Sequence, residues 1–236
     1  MNITAINGSP KRGESNSAEV ISIIRSMIGS GHEWNVITPG ELLRKGAAIP
    51  VESLTDADIL LFVFPLYVDG IPSTLLRCTE AWAGALAKTP KGSKRIFAVV
   101  NCGFIEGVQN HVALDMMSHF SRAAGQIWCG GAGIGSGEMI AALRNVPQKA
   151  GIRKPVIAAL QRVADAIRNP DGKVVPVVFT QHAIPWFLYR IMGHFGWRKM
   201  ARKNGLKRRD LDARPLMQPI PRQDGNMVGQ CTVQPS

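Results

Sequence analysis

Eleven residues near the start of the chain hold its densest set of anion-binding groups: Asn7-Gly8-Ser9-Pro10-Lys11-Arg12-Gly13-Glu14-Ser15-Asn16-Ser17. They lie between a compact β-rich run, Asn2–Ile6, and an apolar stripe at helical spacing that stops at Gly29. At such a junction the backbone N–H groups and dipole of the helix's first turn favour a bound anion. Ser9, Ser15, Asn16 and Ser17 add hydroxyl and amide groups, and Lys11 or Arg12 can balance charge. The spacing Gly8-x4-Gly13 imitates a nucleoside-triphosphate loop, but Glu14 stands where that loop needs lysine, and its charge repels a triphosphate with its magnesium. One terminal phosphate suits the composition better. The plainer alternative is a polar loop whose Ser and Asn residues only cap the helix.

A second segment, Phe64-Pro65-Leu66-Tyr67-Val68-Asp69-Gly70-Ile71-Pro72-Ser73, follows a continuous apolar run. In an open parallel sheet, ligands sit beyond the carboxyl ends of the strands, where strand order reverses. Tyr67 is able to lie along a flat ring, two prolines limit loop motion, and Gly70 permits close backbone approach. In isolation Tyr67 would read equally well as a cap on the core. The glycine run Gly130-Gly131-Ala132-Gly133-Ile134-Gly135 lacks the dinucleotide register and the acidic residue about 20 positions on, so it reads as a close-packed strand end. The Ser136-Gly137-Glu138 loop after it is expected to border the substrate pocket. The five histidines form no HxxxH or HExxH pattern, and the four cysteines no CxxC, so no metal site or disulfide framework is expected.

The elements that must position these loops follow from alternating β-rich and helical stretches, the signature of a parallel sheet covered by helices. Asn2–Ile6, Glu33–Thr38, Asp58–Phe64, Arg95–Asn101 and Gln126–Ile134 read as five strands. Ser17–Ile28, Pro72–Leu86, Val108–Ala124 and Lys154–Arg168 read as helices. Residues 39–57 hold two prolines and two glycines, so the helix there is expected to be short. Val174–Phe179 reads as an extra extended segment.

The two loop segments together resemble the flavodoxin-like NAD(P)H-dependent FMN reductase family. The resemblance is carried by Gly8-Ser9-Pro10-Lys11 with Ser15-Asn16-Ser17, and by Pro65-x-Tyr67-x-x-x-Ile71-Pro72. It covers about residues 1–168 and implies a flavodoxin-like three-layer α/β fold with a five-stranded parallel sheet in the order 2-1-3-4-5. It also implies FMN, its phosphate held by Ser9, Pro10, Lys11, Ser15, Asn16 and Ser17 and its ring bordered by Pro65, Leu66, Tyr67, Val68, Gly70 and Ile71. A third loop, Asn101-Cys102-Gly103-Phe104, corresponds to one near the ring in that family; Gly103 would offer its backbone N–H and Phe104 would wall the site. Cys102 invites thiol chemistry, but nothing near it in sequence would lower its pKa.

The implied reaction is hydride transfer from NADPH or NADH to the flavin, then reduction of a small acceptor by a ping-pong mechanism. Candidate acceptors are a quinone, a nitro- or azo-aromatic, free flavin or a metal complex. The flavin does the chemistry, so no protein acid or base is required. A homodimer is the expected assembly. The competing classes are a non-enzymatic flavodoxin-type electron carrier and a flavin-less binding protein.

The chain has 236 residues, 45% of them hydrophobic, with a net charge of +11. That composition is ordinarily globular, which excludes a disordered or membrane-embedded chain. The longest apolar run, Ile59–Val68, contains Pro65 and is about half a membrane span. The N-terminus lacks a basic and then apolar leader, so a reducing cytoplasm is expected. The charge is uneven: residues 1–185 carry 18 basic and 14 acidic side chains, whereas 186–236 carry 10 and 3. The expected organisation is a flavodoxin-like domain at 1–170, a basic, aromatic C-terminal extension at 171–215, and a disordered tail at 216–236. Three roles compete for residues 186–214: packing on the body or a dimer partner, peripheral membrane contact, and nucleic-acid binding. Packing ranks first and nucleic acid last, because apolar and charged residues separate poorly around a helical wheel.

Overall fold

The computed structural model describes residues 1–45, 51–169 and 174–213. Its sheet is built from β1 (Asn2–Asn7), β2 (Glu33–Ile37), β3 (Ile59–Pro65), β4 (Arg95–Asn101), β5 (Ile127–Gly135) and β6 (Val178–Gln181). They pair in the order β2-β1-β3-β4-β5-β6 with every pair parallel. Alternation explains why β3 is central. Ile59, Leu61 and Val63 feed one hydrophobic cluster, while Leu60, Phe62 and Phe64 feed the other on the opposite face.

The first cluster is closed by α1 (Asn16–Ile28) and α7 (Lys154–Arg168). The second is closed by α4 (Ser73–Leu86) and α5 (His111–Ala123), with Trp82 and Phe120 both edge-on to Phe62. Two short helices, α2 (Pro39–Arg44) and α3 (Glu52–Thr55), occupy the connection from β2 to β3, and α6 (Glu138–Ala142) follows β5.

The strands β2-β1-β3-β4-β5 keep the expected order, and the sheet has one strand more than the five read from the sequence. β6 has four residues, none of them buried. It therefore lacks the apolar run that marks a central strand, and its signal merges with the extended segment before it. Pairing from Ala132↔Val178 to Gly135↔Gln181 makes it the sheet's edge.

The chain divides into two compact units, the first running from Met1 to Ile184 and the second from Pro185. The expected boundary at 170 falls among residues 170–173, outside the described residues, as does the tail 216–236. The second unit contains α8 (Trp186–Lys203) and a 3-10 turn at Arg208–Asp212.

Candidate functional site

β1 lies between β2 and β3, so strand order reverses at its carboxyl end and opens a crevice there. The loop leaving β1 is pinned where Gly8 N donates to Val63 O at 2.8 Å. A Cβ on Gly8 would stand 2.6 Å from Leu75 Cδ2 and 2.7 Å from Phe64 Cβ, so only glycine lets the loop lie this close to α4. Ser9 N donates to Asn7 Oδ1 at 3.2 Å, and Lys11 N to Ser9 Oγ at 3.3 Å.

Ser15 is the N-cap of α1: it is extended, and its hydroxyl accepts from Ala18 N at 3.1 Å. The plain capping role thus belongs to Ser15. Ser17 differs, since its Oγ is buried, at 1% residue exposure, and has no hydrogen-bond partner. An unsatisfied buried hydroxyl costs about 1–3 kcal/mol. It stands beside the first N–H groups of α1, which lack intrahelical acceptors. A bound anion would satisfy both.

Two contacts around this loop join residues distant in sequence. Arg144 Nη1 donates to Glu14 Oε2 at 2.8 Å, so the acid that rules out a triphosphate loop is answered by a cation 130 residues away. Arg44 Nη1 donates to Pro10 O at 3.2 Å. Sequence spacing carries no signal for either pair.

The second loop forms a two-residue hairpin in which Tyr67 N donates to Gly70 O at 3.1 Å and Gly70 N to Tyr67 O at 3.0 Å. Both central residues are left-handed, Val68 at φ 47° and Asp69 at φ 57°, matching a type I′ turn. For a β-branched valine this is a strained conformation, a feature that clusters at ligand clamps. Leu66 N donates to Asn101 O at 2.7 Å and Asn101 Nδ2 to Phe64 O at 3.2 Å, which locks the loops after β3 and β4 together. Gly137 N donates to Cys102 O at 2.7 Å, and a Cβ there would sit 2.9 Å from the same oxygen. This close approach brings Glu138 to the cleft.

The cleft so formed has a volume of about 410 Å³. Of the residues nominated from the sequence, Ser9, Lys11, Ser15, Asn16, Ser17, Pro65, Leu66, Tyr67, Asn101, Cys102 and Gly103 line it. Glu138 joins them, from the loop that the sequence placed at the pocket's border. Pro10, Val68, Gly70, Ile71 and Phe104 do not line it. Val68 is fully exposed at the hairpin tip, Ile71 is buried with Leu75 in the core beneath, and Phe104 is exposed.

Burial holds the Cys102 thiol above its ordinary pKa, against opposing hydrogen bonds from Asn110 Nδ2 and with the Phe104 carbonyl. It is a protonated thiol at neutral pH. Among the described residues, no three His, Cys, Asp or Glu side chains gather into a metal-binding group.

Behind the cleft, β5 is followed by Ser136, whose φ of 48° turns the chain into the Gly137-Glu138 rim. The buried Ser136 hydroxyl donates to Gly135 O at 2.7 Å and accepts from His182 N at 3.2 Å; it also faces His182 Nδ1 at 3.3 Å. Burial first, and the nearby Arg153 guanidinium second, push His182 down to about 4.

No family model and no curated protein matches the chain. Among solved structures it is similar to an NADH:FMN oxidoreductase in its apo form, at TM-score 0.50 and 16% identity, over 74% of this chain and 94% of that one. It is similar to an NAD(P)H:quinone oxidoreductase from Methanothermobacter marburgensis at TM-score 0.49 and 15% identity, covering 72% and 96%. A flavodoxin from Streptococcus pneumonia TIGR4 matches at TM-score 0.47 and 15% identity, covering 70% and 96%. The likeness is one of fold, and the fold is flavodoxin-like.

Proposed function

We propose that the cleft binds FMN and that the protein is an oxidoreductase taking hydride from NADH or NADPH and reducing a small acceptor in a ping-pong cycle. The observation that carries this reading is the buried, unpartnered Ser17 hydroxyl in the first turn of α1, directly after a hydroxyl-rich loop at the sheet's switch point. The donor set fits a flavin mononucleotide. Ser17 and the first N–H groups of α1 would hold the phosphate, Lys11 would offset its charge, and Tyr67, 50% exposed, would lie against the ring. The similar NADH:FMN oxidoreductase shares the fold on which this arrangement rests.

When bound, the flavin supplies the hydride chemistry; the chain supplies position and electrostatics. The hairpin Tyr67–Gly70, closed by two main-chain hydrogen bonds, would give the ring a fixed edge. Asn101 holds the third loop at its distance from β3. Cys102, a protonated thiol, takes no part as a nucleophile. Donor and acceptor would use the same opening in turn, which is why turnover would be ping-pong.

The test is an anaerobic visible spectrum of the FMN-reconstituted protein before and after adding NADPH or NADH. Loss of the flavin absorbance on the mixing time scale is the expected result. Reduction only by a protein donor would make the molecule an electron carrier. A colourless protein that resists FMN reconstitution would overturn the flavin reading.

A further inference from the structure

Helix α8 belongs to the second compact unit, and its sequence is ordered along its axis. Trp186–Trp197 holds eight apolar or aromatic residues and one permanent cation, Arg190; Arg198–Lys203 holds four cations, and Lys207, Arg208 and Arg209 follow. No acidic residue occurs between Asp171 and Asp210. At 100° per residue, Phe187, Leu188, Ile191 and Phe195 share one sector, and Arg198, Lys199 and Arg202 continue that same sector.

One face is therefore apolar for two-thirds of its length and cationic for the last third. That is why apolar and charged residues fail to separate around the axis: they separate along it. Phe187, Ile191, Phe195, Trp186 and Trp197 are all more than half exposed, Phe195 at 70%. The Arg190 guanidinium stacks 5.5 Å over the Trp186 ring.

Each alternative occupant of this face asks for a different pattern. A protein groove that accepts a helix reads apolar anchors at i, i+3, i+4 and i+7, a spacing that Leu188, Ile191, Met192 and Phe195 meet, but it assigns no role to the cations that continue the same sector. Single-stranded nucleic acid wants aromatics interleaved with cations, whereas here they form consecutive blocks. Among the described residues no helix is long and apolar enough to cross a membrane. A layered medium, apolar beneath and anionic above, matches an axial order in which aromatics precede cations.

We propose that α8 docks the protein on an anionic phospholipid surface. Trp186–Trp197 lies inclined at the boundary between acyl chains and headgroups, and the cations from Arg198 to Arg209 sit on the headgroup phosphates. The stripe from Phe187 to Phe195 supplies the burial, and the charge supplies the preference for anionic lipid.

The experiment is co-sedimentation of the full chain with vesicles of phosphatidylcholine alone or mixed with phosphatidylglycerol, in low and high salt. Two variants are compared: F187S/F195S, and R198Q/K199Q/R202Q, in which glutamine preserves helix propensity. The full chain is expected to pellet with the mixed vesicles, with a blue shift in tryptophan emission. Partitioning is expected to fall about tenfold or more in high salt and in either variant. A thermal melt verifies that each variant keeps a folded body. Equal binding to both vesicle types, no binding to the mixed vesicles, or wild-type binding by both variants would overturn the proposal. So would absence of vesicle binding together with a dimer in light scattering that F187S/F195S dissociates, which would assign the face to a second copy of this chain.

Discussion

At the scale of single residues, two serines two positions apart do different work. Ser15 caps α1 through Ala18 N, while the Ser17 hydroxyl is buried without a partner. Ser15→Ala should therefore lower the stability of the flavin-free protein by about 1 kcal/mol, the usual worth of a cap. Ser17→Ala should raise that stability, by up to about 1–3 kcal/mol, and weaken FMN roughly 10- to 100-fold, the worth of a hydrogen bond to a charged phosphate. Urea denaturation and a fluorescence titration separate the two effects, and the opposite pattern would reverse the two roles.

The motif nominates both serines equally, because which hydroxyl meets Ala18 N depends on the backbone angles at Ser15. His182 gave no signal in the sequence at all. Its pKa in the folded state lies below that of the unfolded chain, so folding favours the neutral ring. The associated stability is fully present above about pH 6.5 and is lost as pH falls toward 4. The loss amounts to at most about 3 kcal/mol. Denaturation midpoints measured between these pH values should fall for the natural protein and flatten for His182→Phe.

At the scale of elements, the runs that close the core and the β2 edge were legible, while the β6 edge was read only as an extended segment at Val174–Phe179. Asp58–Phe64 announces a strand buried on both faces, observed as Ile59–Pro65, and Lys154–Arg168 shows an apolar stripe matching α7 as observed. β6 was blurred because an edge strand need not be apolar, and the type I′ hairpin was hidden because Val68-Asp69 lacks the Asn-Gly signature.

That mismatch is testable. Val68→Gly removes a left-handed penalty of about 1–2 kcal/mol and returns about 0.5–1 kcal/mol of unfolded-chain entropy. The variant should melt slightly higher while binding FMN severalfold more weakly, because the ring's edge loosens. Unchanged affinity would show that the strained turn is not part of the clamp. Arg95 joins elements in another way. From the first residue of β4 its guanidinium donates to Ala166 O and, at 3.3 Å, to Ile167 O, satisfying carbonyls at the end of α7. Arg95→Met should cost about 1–2 kcal/mol in urea denaturation with the slope unchanged.

At the scale of the whole molecule, the question is where the body ends. Its hydrophobic clusters are complete within Met1–Ile184, and the last stretch of that unit still carries backbone bonds into it. Val175 N donates to Cys129 O and Ala183 N to Ile152 O, both at 2.9 Å, while His182 N donates to Ser136 Oγ at 3.2 Å. A chain ended after Ile184 should unfold within about 0.5 kcal/mol of the full chain and bind FMN equally well, because neither hydrophobic cluster includes a residue beyond Ile184. It should also fail to pellet with anionic vesicles, having lost α8.

A chain ended after Asn169, close to the boundary that the composition change suggests, should behave differently. It bares the edge of β5, a template for aggregation, and removes the hydrogen bond that supports the left-handed turn at Ser136. That turn aims Gly137 and Glu138 at the cleft, so FMN affinity should fall together with stability, by several kcal/mol in the latter. If the shorter chain matched the longer in both measurements, β6 would be an ornament on the sheet. If it lost both, the sixth strand would be part of the machinery that shapes the site, although it contributes no residue to the cleft's lining.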